Sequence, residues 1–238
     1  MIIESFIIIG IALCVGALVQ GCVGFGVGVF GAPIVAAVDP SLMPELVLVV
    51  GVVLPVVMLR GEWRSADFHG LRWALLGRFP GVVAGVYVVV VRSAEELGVV
   101  IALAVMLAVA LSLVSVRLPK TPAVLTSVGA ISGLTGTAAG IGGPPMAVVY
   151  QDGEGHEVRA TLSAFFALGA AVSLALLALA GEVGQRAVLS GLAMMPFIIL
   201  GYASAIPLKT RFDTGLMRTT VLLVASLSSI VLLLRSVT

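Results

Sequence analysis

The chain has 238 residues and a formal net charge of +1; 60% of its residues are apolar and 11% charged, with a mean hydropathy of +1.22. Soluble globular domains carry about 45–50% apolar and about 25% charged residues, so this composition excludes a water-soluble fold and makes the bilayer the main solvent. The near-neutral charge gives no footing for nucleic acid or for a polybasic lipid-binding patch.

A helix that crosses the hydrocarbon needs roughly 20 residues. The first apolar segment, Ile2 to Val38, is interrupted in its middle by glycine and proline. Glu4 is its only charge before Asp39, so it lacks the basic region of a signal peptide and reads as part of the mature fold. Cys14 and Cys22 lie in apolar sequence outside any metal spacing and read as small packing residues. Next come candidate spans at Glu45 to Leu59, Trp73 to Val91 and Leu97 to Val116. A second interrupted segment, Ala123 to Tyr150, precedes three further spans at Leu162 to Ala180, Ala187 to Ile206 and Leu216 to Leu234.

The interruptions are GCVGFGVGVFGAP, Gly21 to Pro33, and GLTGTAAGIGGPP, Gly133 to Pro145. Inside a helix glycine costs about 1 kcal/mol and proline about 3 kcal/mol relative to alanine, so both stretches are expected to unwind. In lipid, unwound backbone is tolerated only where it is buried in protein or lines a wet cavity. Each interruption is therefore a candidate site. Placing Pro33 on Pro145, an offset of 112 residues (145 − 33), superposes Gly21 on Gly133, Gly24 on Gly136, Gly28 on Gly140 and Gly31 on Gly143. Gly61-Glu62 then parallels Gly181-Glu182, and Pro80 with Gly85 parallels Pro196 with Gly201. These matches imply two repeats, residues 1–118 and 119–238, forming one membrane domain.

Charge suggests how the repeats sit. Arg60, Arg64 and Arg72, then Arg117 and Lys120, then Lys209, Arg211 and Arg218 fall in three loops that the positive-inside rule assigns to the cytoplasm. That assignment works if each interrupted segment is a re-entrant-like hairpin of two half-helices accompanied by three full crossings. Three crossings invert the second repeat relative to the first. A single crossing by each interrupted segment is the alternative. The expected fold is all-α and polytopic.

In transporters built from inverted repeats, paired broken helices meet near the midplane, where half-helix N-termini favour an anion. Candidate substrate-binding residues are Gln20, Gly24, Phe25, Gly26 and Pro33 in the first interruption. In the second they are Ser132, Thr135, Gly136, Thr137, Gly142, Gly143 and Pro145. Gln20 and Ser132 coincide at the offset of 112. The competing reading is that the glycines permit close helix packing and the hydroxyls bond the preceding turn. Phe25 reads equally as an apolar gate or as packing. Arg78, the one basic residue more than two residues inside a candidate span, either lies on an anion pathway or snorkels to the interface. Glu45, Glu157 and Arg159 sit at span edges and read as interface groups, leaving no evident proton-coupling carboxylate.

Gly26 to Gly31 spells GxGxxG, but without a preceding strand or a soluble βαβ unit it does not read as a nucleotide site. His69 and His156 are both in loops, and no catalytic cluster or cofactor motif is present in the sequence, so an enzyme is not expected.

Gly24-Phe25-Gly26 with Pro33, Gly136-Thr137 with Gly140-Ile141-Gly142-Gly143-Pro144-Pro145, and Val158-Arg159-Ala160-Thr161 together resemble the sulfite exporter TauE/SafE family of membrane permeases. The resemblance spans essentially the whole chain. One departure is Thr137-Ala138-Ala139-Gly140, where the family pattern is richer in glycine. The resemblance implies a permease for small sulfur-containing anions (sulfite, sulfonates or related organosulfur acids). The inverted repeats lead to the expectation of alternating access, and the compact chain suits a prokaryotic inner membrane. A channel, or a permease for a small non-sulfur carboxylate, is the alternative. Coupling to a proton or to sodium is left open, as is a homodimer.

Overall fold

The computed structural model describes residues 3–113 and 118–208. The described residues form ten α-helices and no strand. They are α1 (Ile3–Val23), α2 (Val27–Val38), α3 (Glu45–Glu62), α4 (Phe68–Val91), α5 (Ala94–Leu113), α6 (Pro122–Ala139), α7 (Gly143–Tyr150), α8 (Gly155–Leu179), α9 (Gln185–Ala193) and α10 (Met195–Leu208). Five segments are long and apolar enough to cross a membrane: α1, α3 with the turn after it, α4, α8, and α9 with α10. Many large apolar side chains on these helices point outward, among them Ile11, Leu76, Phe79, Leu168 and Ile199. An outward apolar surface of this kind suits lipid.

The spans expected at Glu45 to Leu59, Trp73 to Val91, Leu162 to Ala180 and Ala187 to Ile206 fall in membrane-length segments with shifted ends, and the one expected at Leu97 to Val116 falls on α5, which is described as far as Leu113. Helix α4 starts at Phe68 rather than Trp73 because Asp67 caps it, its side chain accepting from the Gly70 N–H. The span expected at Ala187 to Ile206 is interrupted at Met194. The span at Leu216 to Leu234, the loop with Lys209, Arg211 and Arg218, and Arg117 lie outside the described residues.

Both interruptions are narrower than expected. The chain leaves helical geometry only at residues 24–26 and 140–142. Gly24 (φ 97°) and Gly140 (φ 70°) occupy the left-handed region, where a β-carbon is strained, and they end the preceding helices. Gly21, Gly28 and Gly31 stay helical and allow close contact instead. Gly31 lies against Leu13, and a β-carbon at Gly21 would come within 2.5 Å of Ala205 Cβ. Pro144 and Pro145 fall in the first turn of α7, where the missing N–H costs little.

At each break the chain reverses. Val27 and Gly31 of α2 pack beside Gly16 and Leu13 of α1, and Gly142 returns against Ser132. The arms are unequal rather than two half-helices: α1 has 21 residues and α2 has 12, while α6 has 18 and α7 has 8. The two left-handed glycines are 116 residues apart (140 − 24), the spacing that also relates Pro80 to Pro196 and Gly85 to Gly201. An offset of 116 sets Gln20 opposite Gly136, whereas the offset of 112 sets it opposite Ser132.

Small residues set the helix pairings. Gly77 and Gly81 of α4 lie against Thr126 and Ala130 of α6, and Gly129 and Gly133 of α6 lie against Ala74 and Arg78, so these two helices run parallel. Helices α1 and α10 pair the same way, with Gly10 on Phe197 and Gly201 on Cys14. Helices α3 and α8 run antiparallel: Arg159 at the start of α8 pairs with Glu62 at the end of α3, and Gly184, beyond the end of α8, bonds Glu45 at the start of α3.

Candidate substrate site

The two breaks touch inside the bundle. A β-carbon on Gly28 would collide with the Gly140 carbonyl oxygen, and one on Gly143 would lie 2.9 Å from Phe25 Cβ. Each break also rests on the helix that follows the opposite hairpin. Gly24 meets the first turns of α8 at Arg159 and Leu162, and Gly140 meets Val47 of α3.

A cavity of about 50 Å³ lies where the breaks meet, walled by Gln20, Phe25 to Val29, Val47, Leu48, Gly51, Arg78, Gly136 and Gly140 to Gly143. A water-sized group needs about 10–15 Å³, so the space holds roughly three to five such groups. The N-termini of α2 and α7 both open onto it. First-turn N–H groups have no carbonyl partner within their own helix, and they carry the positive end of the helix dipole. Gln20 supports the first N-terminus: its Oε1 accepts from the Val27 N–H at 3.1 Å.

Arg78 is the single charged residue in the cavity wall. It is 4% exposed, so it points inward and does not snorkel. Its Nη1 donates to Ser132 Oγ at 3.3 Å, and Ser132 in turn donates to the Gly142 carbonyl. Its guanidinium lies 4.3 Å over the Phe165 ring, while its buried Nε has no hydrogen-bond partner. Among the described residues no carboxylate pairs with it. Gly169 and Gly136 make room for the guanidinium, since a β-carbon at Gly169 would overlap it. Phe165, Phe166, Gly169 and Ala170 come from α8, which sequence reasoning left out of the site. Nothing local in the sequence of α8 marks them.

The expected site residues divide. Gln20, Phe25, Gly26, Gly136, Gly142 and Gly143 line the cavity, and Ser132 reaches it through Arg78. Gly24 supports the break from behind, against α8. Pro33 and Pro145 are buried within α2 and α7, away from the wall. Thr135 Oγ1 donates to the Ile131 carbonyl and faces an outer groove beside Val88 and Leu103. Thr137 Oγ1 shares a 2.8 Å hydrogen bond with Ser173 and fills the α4–α6–α8 contact beside Gly85. Thr135 thus bonds the preceding turn of its own helix, whereas Thr137 bonds a side chain of α8. Among the described residues no group of three or more His, Cys, Asp or Glu side chains could hold a metal ion.

Apolar spans surrounding two broken-helix hairpins define a polytopic integral membrane protein organised around an internal cavity. The chain belongs to the sulfite exporter TauE/SafE family, which matches residues 8–232. This is a family of membrane transporters, and its membership implies transport of sulfur anions such as sulfite. Neither the curated proteins nor the solved structures compared with the chain gave a match.

Proposed function

We propose that the protein carries a small sulfur oxyanion of the sulfite type across the membrane by alternating access, holding it between the two hairpin breaks. The observation that carries this reading is Arg78, a buried cation without a carboxylate partner in the wall of a small cavity. Burying an isolated charge is costly unless a counter-charge arrives, so such a group suits an anion. Arg78, the amide N–H of Gln20, the N–H groups of Gly28 and Val29 in the first turn of α2 and the Gly143 N–H of α7 are the donors offered. A volume of about 50 Å³ fits the four heavy atoms of sulfite and excludes a long sulfonate from lying wholly inside.

Alternating access rests on the proposed inverted repeat. Helices α3 and α8, each following a hairpin, are antiparallel neighbours, and the α4–α6 pairing is repeated by α10 with α1. This pattern is what a two-fold axis in the membrane plane would produce, with the substrate near the axis. The halves, residues 1–118 and 119–238, would rock against each other about the α3–α8 contact. Arg60, Arg64 and Arg72, at and around the α3–α4 turn, support a cytoplasmic setting of the Glu62–Arg159 end under the positive-inside rule.

Labelled sulfite flux into proteoliposomes tests the reading. Saturable uptake, accelerated by sulfite on the far side, is expected. Non-saturating flux without counterflow would indicate a channel. Transport of small carboxylates in place of sulfite would replace the substrate while keeping the site.

A further inference from the structure

The two ends of the antiparallel α3–α8 pair are closed differently. At one end Arg159 makes two hydrogen bonds to Glu62, at 3.0 Å and 2.7 Å, and Tyr150 donates to Asp67 at 2.9 Å. There the charges are matched. At the other end Glu45 opens α3 and faces the turn between α8 and α9. Glu45 is only 7% exposed. Its Oε1 accepts one long bond from the Gly184 N–H at 3.5 Å, and its buried Oε2 has no partner.

Among the described residues the charged groups around Glu45 do not neutralise it. Glu182, in the same turn, adds like charge. Asp39 and Arg186 pair with each other at 2.7 Å. Helix α10, packed nearby, contains no charged residue. A buried carboxyl without a cation or a donor for its second oxygen is stable as the neutral acid. Glu45 also lies beside the site, since Val47, Leu48 and Gly51 of the same helix form part of the cavity wall.

We propose that Glu45 is a proton-binding site, and that this end of the transporter closes with Glu45 protonated and opens when the proton leaves. A proton from water on that side forms the O–H of the carboxylic acid, and the same proton returns to water when the α8–α9 turn moves away. The sulfite cycle is thereby set by the pH of the water on that side. This pH dependence of transport rests on the transport reading above; the protonation of Glu45 does not.

Two measurements separate the claims. Infrared difference spectra across a pH titration of the wild type, without sulfite, are expected to show the C=O stretch of a protonated carboxylic acid that Glu45→Gln lacks. Labelled sulfite uptake into proteoliposomes is then compared with and without a proton gradient imposed by changing the pH on the Glu45 side. The wild type is expected to respond to the gradient, Glu45→Gln to give equal rates under either gradient, and Glu45→Asp to regain part of the response. A wild-type spectrum without that band, or a gradient response undiminished in folded Glu45→Gln, overturns the proposal. If the band is present and no sulfite moves, the proton site stands and the substrate assignment falls.

Discussion

Replacing Arg78 by methionine separates binding from folding more sharply than any other single change. Methionine approximates the volume of the arginine stem but removes the charge and the donor to Ser132. A monoanion held about 4 Å from the guanidinium gains about 4 kcal/mol at an effective dielectric constant of about 20. Losing most of that weakens sulfite binding by on the order of 10²- to 10³-fold. The apoprotein responds in the opposite sense. The guanidinium is buried, its Nε is unpartnered and no carboxylate faces it among the described residues, so removing it lifts a desolvation cost. Ser132 keeps its bond to the Gly142 carbonyl. We therefore expect weakened binding together with an unchanged or raised melting temperature. Isothermal titration of detergent-solubilised protein with sulfite gives the first quantity, and a thermal melt without ligand gives the second. Arg78→Met protein that binds sulfite within about threefold of the wild type would refute the assignment. A sharp fall in apoprotein stability would instead make Arg78 a structural group.

Gln20→Ala removes a cavity donor and the acceptor for the Val27 N–H; sulfite uptake is expected to fall at least about tenfold, with about 1 kcal/mol of stability lost. Thr137→Val removes a bond to Ser173 remote from the wall; its half-saturating sulfite concentration should match the wild type while the melting temperature drops slightly, and a raised concentration would return Thr137 to the site. Gly28→Ala drives a methyl into the Gly140 carbonyl, for an expected loss of about 1–3 kcal/mol in thermal or denaturant unfolding. Gly61→Ala, with nothing within 4 Å, serves as the silent control. Tyr150→Phe deletes the bond to Asp67 and should cost about 1 kcal/mol, because Asp67 retains its cap to the Gly70 N–H.

The spans were legible because lipid imposes one simple demand, a long apolar run with its backbone bonds satisfied internally. The breaks were legible as regions but not as residues. Composition alone cannot distinguish Gly24, whose φ of 97° ends a helix, from Gly31, which remains helical and leaves to Leu13 the space where a side chain would be. The hydroxyl residues show the same limit. Ser132, Thr135 and Thr137 sit within two turns of one helix, yet they face Arg78, lipid-side backbone and α8 respectively. Their direction depends on which helix packs against α6, and sequence spacing does not report that. Arg78 was identifiable as an intramembrane charge, whereas its inward course follows from the gap left by Gly169 on a distant helix.

The glycines thus hold a packing role and a binding role that depend on each other. Parallel helices α4 and α6 approach closely because Gly77, Gly81, Gly129 and Gly133 bring backbone against side-chain-free backbone. That approach carries Arg78, one residue beyond Gly77, next to Ser132, one residue before Gly133. A wider seam would leave the guanidinium short of the serine and of the cavity wall. The polar contact that holds the cation at the breaks is therefore positioned by the small-residue packing expected of any close membrane helix pair. Bulk added at Gly81 or Gly129 should lower sulfite affinity in proportion to the α4–α6 separation it imposes, although neither glycine lines the cavity. Spin-label distances across that seam, measured beside sulfite titrations, would test the proportionality. Affinity unchanged in a variant whose seam had widened would disconnect the packing from the site.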